Sequence, residues 1–152
     1  MANDNIEFVK RIYSAFAQGQ IDEMLQMFSD DLAFQHPMPQ SIWRWAGSRS
    51  GRQGLAEFFA GLIETLEYER LEPRQFIAQH DSVAVVLSER TRVKASGMFF
   101  EISEVHLFKL KNGKVVQLTI FEDTAPIIAA LQGYERNPSG VPLPIEENEP
   151  IE

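Results

Sequence analysis

The sequence predicts an α+β domain in which three N-terminal helices pack on one side of a curved, mainly antiparallel sheet and enclose a mostly apolar pocket. Three observations carry this. Apolar residues recur at three-and-four spacing as far as Leu66, and strand character takes over from about Tyr68. Asn112-Gly113, between two β-rich runs, is the pair that favours a type I′ hairpin.

In chain order, Asn3 or Asp4 caps a first helix with Ile6, Val9, Ile12, Tyr13 and Phe16 on one face, and Gly19 ends it. Asp22 caps a short second helix carrying Met24, Leu25 and Phe28. Leu32 to His36 reads as a strand stopped by Pro37 and Pro39. An irregular stretch from Pro37 to Gly54 holds both tryptophans, and the third helix follows with Leu55, Phe58, Phe59, Leu62, Ile63 and Leu66 in a stripe. Strands are expected at Arg70 to Ala78, where Pro73 marks an edge or bulge, then Val83 to Lys94, Met98 to Leu110 and Val115 to Phe121. Thr124 and Pro126 open a last short helix. From 134 to 152 the chain is rich in Pro and Glu and reads as a tail on a domain spanning 1–133.

Composition narrows the classes. The 152 residues suffice for one core without staples, and 44% apolar residues with eleven phenylalanines supply it. No cysteine means no disulfide and no thiolate metal site, which fits the reducing cytoplasm. A net charge of −8 speaks against a nucleic-acid surface. No apolar run approaches the roughly 20 residues of a membrane span. His36, His80 and His106 lie on separate elements without ligand spacing, so no metal is expected. There is no phosphate-cradling glycine loop and no nucleophile elbow, and no cofactor is expected.

The segments from Phe16 through Asp30-Asp31 to His36-Pro37, Gly51-Arg52-Gln53-Gly54-Leu55, and Phe121-Glu122-Asp123-Thr124 resemble the nuclear-transport-factor-2-like superfamily. Its SnoaL-like cyclases and ketosteroid isomerases are the most similar in flavour. The resemblance, over roughly residues 5 to 132, implies a cone-shaped fold with a pocket between helices and sheet, usually in a homodimer. It also puts His36 where those isomerases carry a general-base aspartate. Ile12 falls where they carry an oxyanion tyrosine, with Tyr13 about 100° round the helix, and Val105 replaces their protonated aspartate. Steroid isomerisation is therefore not expected. Ile120, where the epoxide hydrolases of this fold carry an acid, argues against that chemistry as well.

His36 is the first catalytic candidate, because imidazole exchanges protons near neutrality; a hydrogen bond to a nearby carbonyl is its structural alternative. Glu122 joins Leu118 and Ile120 if residues two apart share a face, and burial would make it an acid. Otherwise it reaches solvent or pairs with Arg90 or Arg92. Tyr13 is a third candidate, its hydroxyl reaching the cavity from an apolar helix face. Arg90 binds a ligand carboxylate if it points inward, or joins a charge ladder if outward. Trp43 and Trp45 either wall a flat ligand or bury at a dimer contact. Phe16 and Phe59 belong to the apolar stripe that serves as both core and pocket wall.

The expected function is binding of a small, apolar, carbonyl-bearing ligand. If the protein is an enzyme, cofactor-free isomerase, cyclase or dehydratase chemistry follows. The alternatives are a non-catalytic ligand-binding or dimerisation module, and a protein-interaction module built on the tryptophan loop.

Overall fold

The structure, a computed structural model, describes residues 2–136 and 142–144. Helices α1 (Ala2–Ala17), α2 (Ile21–Leu25) and α3 (Gly51–Thr65) lie against a six-stranded sheet, and α4 (Thr124–Gln132) follows it. The strands are β1 (Phe28–His36), β2 (Gly47–Ser50), β3 (Leu66–Gln79), β4 (Ser82–Val93), β5 (Phe99–Lys111) and β6 (Lys114–Glu122), arranged β2-β1-β6-β5-β4-β3. Only the β1–β6 pair is parallel, so the expected mainly antiparallel sheet is present, curved and unclosed. The expected tail lies outside the described residues apart from a two-stranded ribbon, β7 (Tyr134–Arg136) with β8 (Pro142–Pro144).

Local chemistry sets the boundaries. Asn112 and Gly113 both take positive φ, 52° and 73°, as a type I′ turn requires. Pro73 sits on edge strand β3 beside a register shift, where its missing N–H costs no ladder bond. Asp123 caps α4 by accepting from the Ala125 N–H at 3.3 Å. Two strands run longer than the sequence suggests. β1 starts at Phe28 because it pairs with Val115, and β3 starts at Leu66 because it pairs with Val93. Long-range pairing extends them where local propensity does not.

Alternation sorts the sheet residues by face. Val83, Val85, Leu87, Glu89, Thr91 and Val93 of β4 are buried. So are Phe100, Ile102, Glu104, Phe108 and Leu110 of β5. Helix α3 buries Leu55, Phe58 and Leu62, and Phe58 meets Phe34 of β1 at a 4.6 Å centroid separation. Each such large apolar side chain contributes about 1.5–3 kcal/mol on burial.

The loop from Pro37 to Ala46 is wound into turns, with Ile42 and Trp43 N–H groups both donating to the Pro39 carbonyl. Trp43 and Trp45 consequently point apart, not the same way. Trp43 is buried and donates Nε1–H to Thr65 Oγ1 at 3.1 Å. Trp45 lies on α3 at Gly61, where a Cβ would stand 2.1 Å from the indole Cγ. Gly61→Ala is therefore expected to destabilise by about 1–3 kcal/mol through overpacking, against the roughly 1 kcal/mol that alanine adds to a helix. A double-mutant cycle by chemical denaturation checks this, because in a Trp45→Ala background the same change should become neutral or stabilising.

Candidate functional site

Between α1, α3 and the concave sheet face lies a cavity of about 90 Å³. Tyr13, Phe16, His36, Trp43, Phe59, Leu118, Ile120 and Glu122 all line it. Trp45 and Arg90 do not. Trp45 packs on the outside of α3, where the Arg44 guanidinium covers its ring at 4.1 Å. Arg90 follows inward-facing Glu89 on β4 and so points outward. It pairs with Glu69 at 2.9 Å and lies over the Phe99 ring. Arg92, likewise, pairs with Glu67 and not with Glu122.

Polar residues cross the otherwise apolar concave face on four adjacent strands: His36 on β1, Glu122 on β6, Glu104 on β5 and Glu89 on β4. His36 Nε2 stands 2.6 Å from Glu122 Oε1, an oxygen shut off from solvent. The other ring nitrogen, Nδ1, accepts the Met38 N–H at 3.3 Å. Glu104 and Glu122 are direct cross-strand partners. Next to them on β5, His106 places Nε2 3.4 Å from Glu104 Oε2, and its Nδ1 lies 2.7 Å from the Tyr13 hydroxyl. Thr91 Oγ1 donates to Glu89 at 2.8 Å.

Three carboxyls this close cannot all ionise in an apolar setting. Burial first, then the charge of Glu104, raises Glu89 to about 9. Burial likewise raises Glu104 to about 8. Burial alone would raise Glu122 too, but hydrogen bonding and electrostatic attraction from His36, and a hydrogen bond from Glu104, hold it below the ordinary carboxyl value. Desolvation lowers His106 to about 4, so its ring is neutral, and burial with the Glu104 charge keeps the Tyr13 hydroxyl protonated.

A direction of donation follows. Tyr13 O–H donates to His106 Nδ1, leaving the His106 proton on Nε2 toward Glu104. Glu89 and Glu104 keep their protons, and Glu104 donates to Glu122. The network ends on one carboxylate, Glu122.

Glu89, Glu104 and His106 went unassigned in the sequence, although the pattern marks them. Glu104 and His106 interrupt the alternating run Phe100, Ile102, Phe108, Leu110, and Glu89 interrupts Val85, Leu87, Val93. The carboxyl oxygens of Glu89, Glu104 and Glu122 lie within 4.8 Å of one another, the donor set for a cation among the described residues. Thr91 Oγ1 meets Glu89 from one side of this set, and His36 Nε2 stands beside Glu122 on the other.

The pH dependence of stability follows from these shifts. Glu89 and Glu104 hold protons more tightly folded than unfolded. Their contribution is complete below the ordinary value of 4.5 and is lost as the pH rises toward about 8 and 9. His106 works in the opposite sense, losing stability as the pH falls from 6.5 to about 4. Glu89→Gln should therefore raise the Tm at pH 8.5 relative to wild type by more than it does at pH 5.5, with about 2–4 °C for each kcal/mol. Parallel melting curves for the two proteins across that range would contradict the assignment.

The comparisons with known proteins agree with this architecture. The sequence profile of the SnoaL-like domain matches residues 9–118. An NTF2-like protein from Burkholderia xenovorans LB400 superposes with a TM-score of 0.78 at 27% identity, covering 86% of this chain and 98% of that one. TerC, co-crystallised with polyporic acid, gives 0.75 at 26% identity over 84% and 98% of the two chains. A candidate polyketide cyclase from Xanthomonas campestris pv. campestris gives 0.71 over 86% and 98%, and at 16% identity shows the fold alone. No curated protein sequence matches the chain. Among the described residues no helix is long and apolar enough to cross a membrane.

Proposed function

The chain belongs to the SnoaL-like domain family, and on that premise we propose that it binds a small, apolar, carbonyl-bearing ligand and moves a proton on it by acid/base chemistry of the isomerase, cyclase or dehydratase kind. The observation that carries this reading is the 2.6 Å His36–Glu122 pair set into an apolar cavity.

The roles within the pair are the reverse of those the sequence suggests. Both His36 nitrogens are committed, one to the Met38 N–H and one to Glu122. An imidazole with no free lone pair toward the cavity takes no proton from a ligand. Glu122 has lone pairs beyond those that His36 and Glu104 occupy, so it is the base, and His36 holds it in place and ionised. TerC, a neighbour co-crystallised with polyporic acid, adds support for an oxygen-bearing organic ligand in this fold. The homodimer implied by the family resemblance would cover the outer sheet face, where Phe99, Leu107 and Phe121 are exposed.

Deuterium exchange tests the proposal without knowledge of the natural substrate. In D2O the protein should accelerate loss of the α-hydrogens of 2-tetralone or a related cyclic ketone, followed by NMR. Glu122→Gln should reduce that rate by about 10²–10⁴-fold, the usual worth of a positioned acid/base group. His36→Ala should reduce it less and move the acid limb of its pH profile upward. Binding of the ketones with no exchange above background would instead support a passive binder.

A further inference from the structure

The inner cavity adjoins a second depression, an open groove of about 750 Å³ between α1 and β3. Tyr13, Phe16, Tyr68 and Leu71 border both spaces. They form a neck, with Phe16 and Tyr68 edge to face at 5.8 Å. Beyond the neck the groove wall is Pro73 and Phe76.

Size and charge constrain what fits. An apolar cavity of about 150 Å³ takes one benzene ring, so the inner space of about 90 Å³ holds a head of one ring or less. The charged residues on the groove rim are already matched: Lys10 with Glu7 at 3.3 Å, Arg70 with Glu101 at 2.7 Å, and Glu69 with Arg90 at 2.9 Å. Nothing in the groove calls for a charged ligand, and its aromatic and proline walls suit hydrocarbon.

Two hydroxyls stand at the neck, and that of Tyr13 is taken up by His106 Nδ1 at 2.7 Å, which leaves Tyr68. Among the described residues its hydroxyl has no hydrogen-bond partner, although the ring lines the cavity that holds the three glutamates. Burial, then the charges of Glu89, Glu104 and Glu122, keep that hydroxyl protonated, so it is a donor. A carboxylate held in its ionised form by His36 is a weak base. Its action on a C–H bond requires a donor at the ligand oxygen that receives the charge.

Building on the proposed proton transfer, we infer that the ligand is an extended, uncharged molecule with two parts: an oxygen-bearing head in the inner cavity, where Tyr68 donates to its carbonyl or enol oxygen, and an apolar body lying in the α1–β3 groove. Tyr68 is then a ligand-contacting residue. The groove is the specificity determinant for the length of the body.

Calorimetric titration with two phenols, stable analogues of an enol, tests this. 4-Octylphenol should bind at least about tenfold tighter than p-cresol, since each buried methylene adds about 0.8 kcal/mol. Ser14→Trp, at an exposed α1 position on the groove, should abolish that advantage and leave p-cresol binding unchanged; Ala17→Trp, one turn on, should do the same. Tyr68→Phe should weaken both phenols about fivefold, the worth of one hydrogen bond. Equal affinity for the two phenols, or an octyl advantage that survives both tryptophan variants, would overturn the two-part ligand. Undiminished p-cresol binding to Tyr68→Phe would overturn the donor role. The outcomes separate from those for proton transfer. Phenols that bind as expected while 2-tetralone exchanges no deuterium uphold the two-part site and refute the base. Exchange with no octyl advantage does the reverse.

Discussion

The site depends on one cross-strand juxtaposition, Glu104 opposite Glu122 on the concave face of the sheet. Two carboxylates at directly opposed positions repel, and an apolar cavity magnifies the repulsion. Sharing a proton removes it. Glu104 keeps its proton and donates, while Glu122 accepts and stays ionised, and neighbouring groups follow from that choice. His36 adds a donor on the far side of Glu122, and His106 turns its Nε2–H to Glu104. Glu89, held by Thr91, stays neutral against them. The result is one negative charge placed among several buried acids.

On the proposed reading, a histidine at a familiar position carries an unfamiliar role. The sequence offers His36 as a base because imidazole titrates near neutrality, and nothing local indicates that both ring nitrogens are occupied. Their partners come from a turn two residues on and from a strand more than eighty residues away. A charge held by fixed donors inside an apolar wall suits proton transfer on a carbonyl compound, where the protein must receive charge and return it without water.

Much of the framework was legible from local signals. The α3 stripe as far as Leu62, the Asn112-Gly113 turn and the edge position of Pro73 each rest on nearest-neighbour chemistry, and each appears in the structure; the stripe stops there, because Ile63 is exposed and Leu66 opens β3. Facing was harder. Arg90 and Glu89 are adjacent, so only one can enter the cavity, and the parity of β4 decides for Glu89; that parity was readable from Val83, Val85 and Leu87, all buried with it. Trp43 enters the cavity and Trp45 does not, because the loop after His36 is wound into turns in which residues two apart share no face. Strand character shows from about Tyr68, but its facing is not readable there, because β3 begins at Leu66 directly after α3.

The central claim is that Glu89, Glu104 and Glu122 together carry a single negative charge at neutral pH, located on Glu122. Carbon-13 NMR of the glutamate carboxyl groups, assigned by single Glu→Gln variants and followed through a pH titration, measures this directly. The account predicts that at pH 7 the Glu89 and Glu104 carboxyls resonate as neutral acids and the Glu122 carboxyl as a carboxylate. Three ionised carboxyls at that pH, or a neutral Glu122 beside an ionised Glu104, would contradict it.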